Sequence, residues 1–351
     1  MQKIFKKELS FAAKGLAIIL MLVYHLFENE ELVTSMGVIH APFSLGSFLT
    51  LTGFGNVCVS VFVFLTAYGI STGLFVQEDA FSLPQAYRQA TKRFIILMAN
   101  FAVLYLSANL LWWYKFDYQS LYGINKQGFL FFVTDAAGMS MFFGTPSLNP
   151  TWWYMEIAYI LIFLVPLLAW IVKKLGYHAL LPICFLPFTI TVLPDAARYL
   201  FVAAFGVCAA YGHWLDRLLN LKLHIAFQWL IGIVGFILCV LIRQNYVVYE
   251  YYLWLADAPI ALFTVYLGGV LIGTAPIFGR IFTYIGKHSM NIYLVHTFFY
   301  MMLWQKYIYC FKYAGITFLL LLSVCLLYSV LLEQLKRITG LKKLIERYRA
   351  S

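Results

Sequence analysis

Residues 11–27 read FAAKGLAIILMLVYHLF, a stretch long and apolar enough to cross a membrane as a helix. Two ionisable residues, Lys14 and His25, lie within it, eleven positions apart. At about 100° per residue, that separation returns to within about 20° of the starting direction and rises about 16 Å along the axis. The sequence therefore places a cation and an imidazole on one face of a predicted membrane helix.

Polar groups in a membrane helix are costly and by default face the protein interior as parts of a site. Two plainer interpretations stay open for this pair. Lys14 could extend to the lipid headgroups, and His25 could be a packing residue. Because the two share one face, a functional site is the preferred hypothesis.

The composition is that of a membrane protein. Of the 351 residues, 63% are hydrophobic and only 11% are charged, whereas soluble domains have about 25% charged residues. The formal net charge of +10 is therefore interpreted through membrane topology, with lipids and not nucleic acid as the predicted partner. The six cysteines form no CxxC pair, so neither a disulfide framework nor a metal site is predicted.

The predicted fold is all-α and polytopic, with about ten transmembrane helices. Starting with a cytoplasmic N-terminus and treating 128–143 as re-entrant or interfacial puts 18 of the 25 Lys and Arg residues inside and five outside. Both termini are then cytoplasmic, and the chain divides into one transmembrane domain, 1–335, and a basic tail, 336–351. The predicted spans are 11–27, 54–75, 94–113, 152–172, 178–193, 196–214, 225–242, 251–272, 289–305 and 314–334.

In this topology His25 and Glu156 lie at similar depths near the outer side. A carboxylate beside an imidazole commonly orients a general base and stabilises its protonated form, so both are candidate catalytic residues. Trp152 and Trp153 precede Glu156 and are either an interfacial aromatic belt or a stacking surface for a sugar ring.

Two further spans carry polar candidates for substrate binding. Asp257 lies in the outer half of its span and Arg198 opens another on the same side, so the two could also be a structural ion pair. His296 lies near the middle of the membrane and is as compatible with packing as with substrate binding.

Four runs, in this order, resemble the acyltransferase-3 family of bacterial integral-membrane acyltransferases. They are Lys14 with ten intervening residues before His25, the glycine-led run 55–69, the TWWYM run 151–155, and the IGKHS…IYLVH run ending at His296. Lys14 stands where that family usually has Arg, and lysine is a point charge where arginine can bind in a bidentate way.

The resemblance implies acyl transfer from cytosolic acyl-CoA, most simply acetyl-CoA, to a hydroxyl of a cell-surface or lipid-linked glycan. It implies a bacterial cytoplasmic-membrane protein in which Lys14, Lys92 and Arg93 hold the CoA phosphates and His25 acts on the acceptor. Two alternatives stay open: a transporter or flippase of a glycan or small polar solute, and a membrane scaffold in which the polar stripe only assembles helices. The acceptor, the acyl length and the oligomeric state stay undecided, a homo-oligomer being one alternative.

Overall fold

The computed structural model describes residues 7–76, 82–124, 126–186, 194–245, 248 and 252–350. Helices joined by turns account for this part of the chain, with no β-strand in it, which confirms the all-α prediction. The α-helices are α1 (Lys7–Phe27), α2 (Glu30–Ser35), α3 (Leu45–Gly53), α4 (Cys58–Phe75), α5 (Leu83–Trp112), α6 (Tyr118–Tyr122), α7 (Lys126–Ala136), α8 (Trp153–Leu175), α9 (Leu180–Phe185), α10 (Pro194–Tyr211), α11 (Trp214–Leu219), α12 (Ile225–Arg243), α13 (Leu253–Thr274), α14 (Pro276–Lys287), α15 (Ser289–Thr297), α16 (Gln305–Ile308), α17 (Ala314–Ile338) and α18 (Leu341–Ala350).

Seven helical segments of the described chain are long and apolar enough to cross a membrane, so the protein is a multi-pass membrane protein. Each overlaps at least one of the predicted spans, and Pro150–Phe185 overlaps two, 152–172 and 178–193. The surface of α12 shows the expected lipid-facing character, because Leu230, Leu238 and Ile242 are largely exposed. The segments are Lys7–Phe27, Leu45–Phe75, Leu83–Lys115, Pro150–Phe185, Ile225–Arg243, Leu253–Thr274 and Ala314–Ile338.

Three predicted spans have no separate segment of their own among these seven. The run 178–193 begins inside the segment Pro150–Phe185, and its residues 187–193 lie outside the described residues, as does residue 251 of the run 251–272. The run 196–214 is interrupted because α10 ends at Tyr211 and His213 has a positive φ of 53°. The run 289–305 consists of α15 followed by a π-helix, Phe298–Leu303. The count of ten spans and the cytoplasmic termini therefore stay predictions.

The segment 128–143 contains a helix too short to cross the membrane. Helix α7 has 11 residues, which is about 16 Å of rise against a hydrocarbon core of about 30 Å. It ends where Gly138 adopts a positive φ of 69°. Whether the segment is re-entrant or interfacial stays a prediction.

The chain forms two compact units, here called the first unit (Met1–Ala86 and Leu164–Ser289) and the second unit (Tyr87–Phe163 and Met290–Ser351). The proposed division into a domain, 1–335, and a tail, 336–351, stays a prediction. Lys336, placed in the tail by the sequence, lies inside α17 and is 3% exposed. Its ammonium donates to Glu333 at 2.7 Å and to Asn100 at 2.9 Å.

Helix α1 lies at the centre of the first unit. Its small and aliphatic face is buried against α14, α13 and α4. Gly15 allows the backbone of α1 to approach that of α14 at Phe282, and Gly286 does the same at Phe11, so that a Cβ at either position would clash. This packing holds the helix that carries Lys14 and His25.

Candidate active site

His25 lies in the last turn of α1 and pairs with a carboxylate three residues later. Its Nδ1 is 2.9 Å from Glu28 Oε1, and the two side chains are 24% and 33% exposed. The ring of Tyr24 lies beside the imidazole, with centroids 5.1 Å apart. This histidine–carboxylate pair lies in the first unit, and both of its side chains are partly exposed.

The charge state of Glu28 decides which imidazole nitrogen is basic. Partial burial raises the pKa of Glu28, but hydrogen bonds from His25 and Tyr24 outweigh that effect and hold its pKa below the ordinary value. An ionised carboxylate only accepts hydrogen bonds, so Nδ1 carries the hydrogen. His25 therefore presents Nε2 as its lone-pair nitrogen.

Lys14 lies on α1 three turns before His25. Its ammonium is 5.9 Å from the centroid of the Phe11 ring. No carboxylate of the described chain forms an ion pair with it. Among the described residues, no carboxylate therefore competes with an anionic ligand such as a phosphate for this ammonium.

Lys92 and Arg93 lie in the second unit, on α5, and both are half-buried. Their predicted role in binding CoA phosphates stays a prediction.

Glu156 lies in the first turn of α8 and faces the backbone of the preceding loop. It is 6% exposed and accepts hydrogen bonds from the backbone N–H groups of Met141 and Phe142. Glu156 belongs to the second unit and His25 to the first. That Glu156 orients His25 stays a prediction.

Asp135, at the end of α7, is a buried carboxylate of the second unit that accepts four hydrogen bonds. It is 1% exposed. It accepts from Tyr122 Oη at 2.6 Å, from Ser140 and Ser147 hydroxyls at 2.8 Å each, and from the Leu148 N–H at 2.7 Å. Burial raises the pKa of Asp135 more than these four bonds lower it.

A cavity of about 280 Å³ lies in the second unit beside these two carboxylates. Trp152 and Trp153 both contribute to its wall. Trp152 is 3% exposed, and its indole N–H donates to the Leu294 carbonyl at 2.9 Å, so much of its surface is used in packing. Trp153 is half-buried, so its ring has more surface to offer a ligand; substrate binding by either residue stays a prediction.

Asp257 is fully buried in α13 between two guanidinium groups. Arg198 Nη2 lies 3.2 Å from Oδ2, and Arg243 Nε lies 2.6 Å from Oδ1. The predicted partner Arg198 is thus present, and Arg243 joins it. This geometry favours the structural alternative for Asp257.

His296, on α15, is fully buried. Its Nδ1 donates to the Tyr293 carbonyl at 2.6 Å, and its ring is stacked on Tyr300 with centroids 5.8 Å apart. The surroundings are those of a packed histidine, and its role in substrate binding stays a prediction.

A comparison with known protein families decides the class of the chain. The family model Acyl_transf_3, described as an acyltransferase domain, matches residues 12–333. The chain belongs to the acyltransferase-3 family. No curated protein and no solved structure matches it.

Membership of the acyltransferase-3 family makes this protein a membrane acyltransferase and confirms the resemblance. The match begins at Ala12, two residues before Lys14, and therefore includes the Lys14–His25 helix and the Trp152–Glu156 run. It favours acyl transfer over transport or scaffolding.

Three features of the site were missed from the sequence. Glu28 is not among the site residues predicted from the sequence, although its spacing of three from His25 is a usable signal. Arg243 is not among them either. The partners of Asp135 come from positions 5 to 13 residues away through irregular turns, and no sequence periodicity predicts them.

Proposed function

We propose that this acyltransferase moves an acetyl group from cytosolic acetyl-CoA to a hydroxyl of a cell-surface or lipid-linked glycan. The observation that supports it best is the His25–Glu28 pair at the end of α1, where His25 lies eleven residues beyond Lys14 and within the region matched by the family model. The proposed location is a bacterial cytoplasmic membrane.

In the proposed reaction, Nε2 of His25 takes the proton of the acceptor hydroxyl as its oxygen attacks the thioester carbonyl. The new C–O bond forms and the C–S bond breaks. The departing CoA sulfur then takes the proton from the imidazolium, which gives CoA and the ester. Glu28 stabilises the imidazolium between the two proton transfers, as carboxylates do in other histidine-based sites.

A relay through an acetylated His25 uses the same residues. The imidazole would then attack the thioester first and pass the acetyl group to the hydroxyl in a second step. Rapid quenching with labelled acetyl-CoA in the absence of acceptor distinguishes the two, because only the relay leaves label on the protein.

The donor requires cations for its phosphates. Lys14 fits this role because no described carboxylate neutralises it. Lys92 and Arg93 are proposed as further phosphate ligands on α5.

The test is CoA release by detergent-purified protein. Acetyl-CoA and an acceptor glycan fraction together should release CoA in proportion to the ester formed on the glycan. A protein that only transports or assembles partners would release none, and that result from a well-folded sample would contradict the proposal.

A further inference from the structure

The cavity of the second unit offers a specific set of hydrogen-bonding groups. Its volume of about 280 Å³ is just below the roughly 300–1,000 Å³ of pockets for drug-sized ligands. It therefore has room for one ring and not for an extended molecule. The wall includes Asp135, Ser140, Ser147, Asn149, Trp153 and Glu156.

The two carboxylates of the cavity differ in remaining capacity. A carboxylate has about four lone-pair sites, and Asp135 already accepts four hydrogen bonds. Asp135 therefore uses its acceptor capacity to hold residues of the cavity wall in place, and it has little capacity left for a ligand. Glu156 accepts two backbone N–H groups and retains capacity to accept from a ligand.

Asn149 also lines this cavity. The residue is fully buried, and its Oδ1 accepts from the Thr151 N–H at 3.0 Å and hydroxyl at 2.8 Å. Its Nδ2 has no hydrogen-bond acceptor in the described chain. A buried donor without a partner is costly, so a ligand that accepts from Nδ2 is favoured.

Together, these groups determine whether the cavity favours an anionic, a cationic or a neutral ligand. An anion would be repelled by two carboxylates, and among the described residues no Lys or Arg lines the cavity. A cation could donate to Glu156 but would leave Asn149 Nδ2 without an acceptor. A neutral hydroxyl compound both donates and accepts, and the half-buried ring of Trp153 offers an apolar face to a saturated ring.

We infer that this cavity binds one neutral sugar ring of the acceptor glycan, with Glu156 accepting from its hydroxyls and Asn149 donating to one of them. The inference rests on the proposed function for the identity of the acceptor. It adds that the bound unit carries neither a carboxylate nor a phosphate.

The test is direct binding of monosaccharides to the detergent-purified full chain, by saturation-transfer NMR. The probes are the methyl pyranosides of glucose, galactose and mannose, with methyl glucuronide as the anionic counterpart. At least one neutral glycoside should bind, and the glucuronide should bind at least about tenfold more weakly. Absence of binding by all three neutral glycosides, or equal binding of the glucuronide, would overturn the inference.

The Asn149→Asp variant tests whether the glycoside binds in this cavity. It keeps the side-chain shape, removes the Nδ2 donor and adds a carboxylate, so glycoside binding should weaken about tenfold. Gln127→Glu is the matched control, because Gln127 is exposed on α7 and does not line the cavity. Unchanged binding by Asn149→Asp would overturn the inference.

A second variant covers the case in which Asn149→Asp does not fold. Trp153→Ala removes the half-buried ring from the wall and should also weaken glycoside binding about tenfold; unchanged binding would again overturn the inference. Because glycoside binding needs no acetyl-CoA, the two proposals fail separately. CoA release without glycoside binding would refute the proposal that the cavity binds a sugar ring. Glycoside binding without CoA release would refute the proposal of acetyl transfer.

Discussion

Glu28 and Asp257 are both carboxylates of the first unit that pair with basic side chains, but their surroundings differ. Glu28 is 33% exposed beside one imidazole, whereas Asp257 is fully buried between two guanidinium groups. The Asp257 cluster joins α10, α12 and α13 inside the protein. The His25–Glu28 pair lies at the end of one helix, within reach of a ligand. The first arrangement is suited to structure and the second to proton transfer.

The largest expected effect is on the accessible pair. His25→Ala should reduce acetyl transfer by about 10²–10⁴-fold, because it removes the general base. The measurement is CoA release in the presence of acceptor. Expression and membrane insertion should match the wild type, and His178→Ala, at an exposed histidine of the same unit, should keep full activity. Retained activity in His25→Ala would remove His25 from the mechanism.

A substitution in the buried Asp257 cluster should lower the stability of the protein. Asp257→Ala leaves two guanidinium groups without their carboxylate, and removing one partner of a buried ion pair costs about 3–5 kcal/mol. The free energy of unfolding in detergent measures this loss. Asp216→Ala is the control, since Asp216 lies 3.6 Å from the exposed His213 and such pairs contribute about 0–1 kcal/mol. Equal losses in the two variants would refute the contrast.

Glu28→Gln tests the carboxylate of the accessible pair. It should lower kcat by about tenfold to a hundredfold with little change in KM, because the imidazolium loses its charged partner only during the reaction. A change in KM alone would place Glu28 in substrate binding.

The pH dependence of the same pair follows from the lowered pKa of Glu28. A carboxyl whose pKa is lower in the folded state stabilises the fold above its unfolded pKa of about 4.3. That contribution is lost as the pH falls through the lower folded value. The stability difference between wild type and Glu28→Gln should therefore be present above about pH 4.3 and shrink as the pH falls below it. A difference that does not shrink below that pH would contradict this assignment.

The smallest expected effect is at Lys14. Lys14→Ala should weaken acetyl-CoA binding about tenfold, the cost of one charge-assisted phosphate contact, while Lys14→Arg should preserve it. Calorimetry measures both. Lys306→Ala, at an exposed lysine, removes the same charge and should leave binding unchanged. Equal affinity in wild type and Lys14→Ala would remove Lys14 from the donor site.

The sequence predicts the helices and the fold class more readily than the individual side-chain contacts. Hydropathy identified the seven long segments because a membrane span requires about 20 consecutive apolar residues. The predicted span 289–305 is α15 followed by a π-helix, and whether it crosses the membrane stays a prediction. Hydropathy also predicted the helix that carries Lys14 and His25. The ion pair of Arg198 and Asp257 was one of two alternatives open from the sequence.

The rest of the site depends on tertiary structure. Asn149 and Asp135 converge on one cavity because the chain turns twice between α7 and α8, at Gly138 and Gly144 with positive φ. Arg243 reaches Asp257 across a stretch whose residues 246, 247 and 249–251 lie outside the described chain. Neither contact has a sequence period that would predict it.

The most direct test of acetyl transfer by the His25–Glu28 pair follows acetyl-labelled acetyl-CoA in a mixture of purified protein and acceptor glycan. We expect the label to move to an ester on the glycan and CoA to appear in equal amount, and we expect neither with His25→Ala. If the glycan stays unlabelled although a folded wild type binds both substrates, the His25–Glu28 pair does not perform acyl transfer.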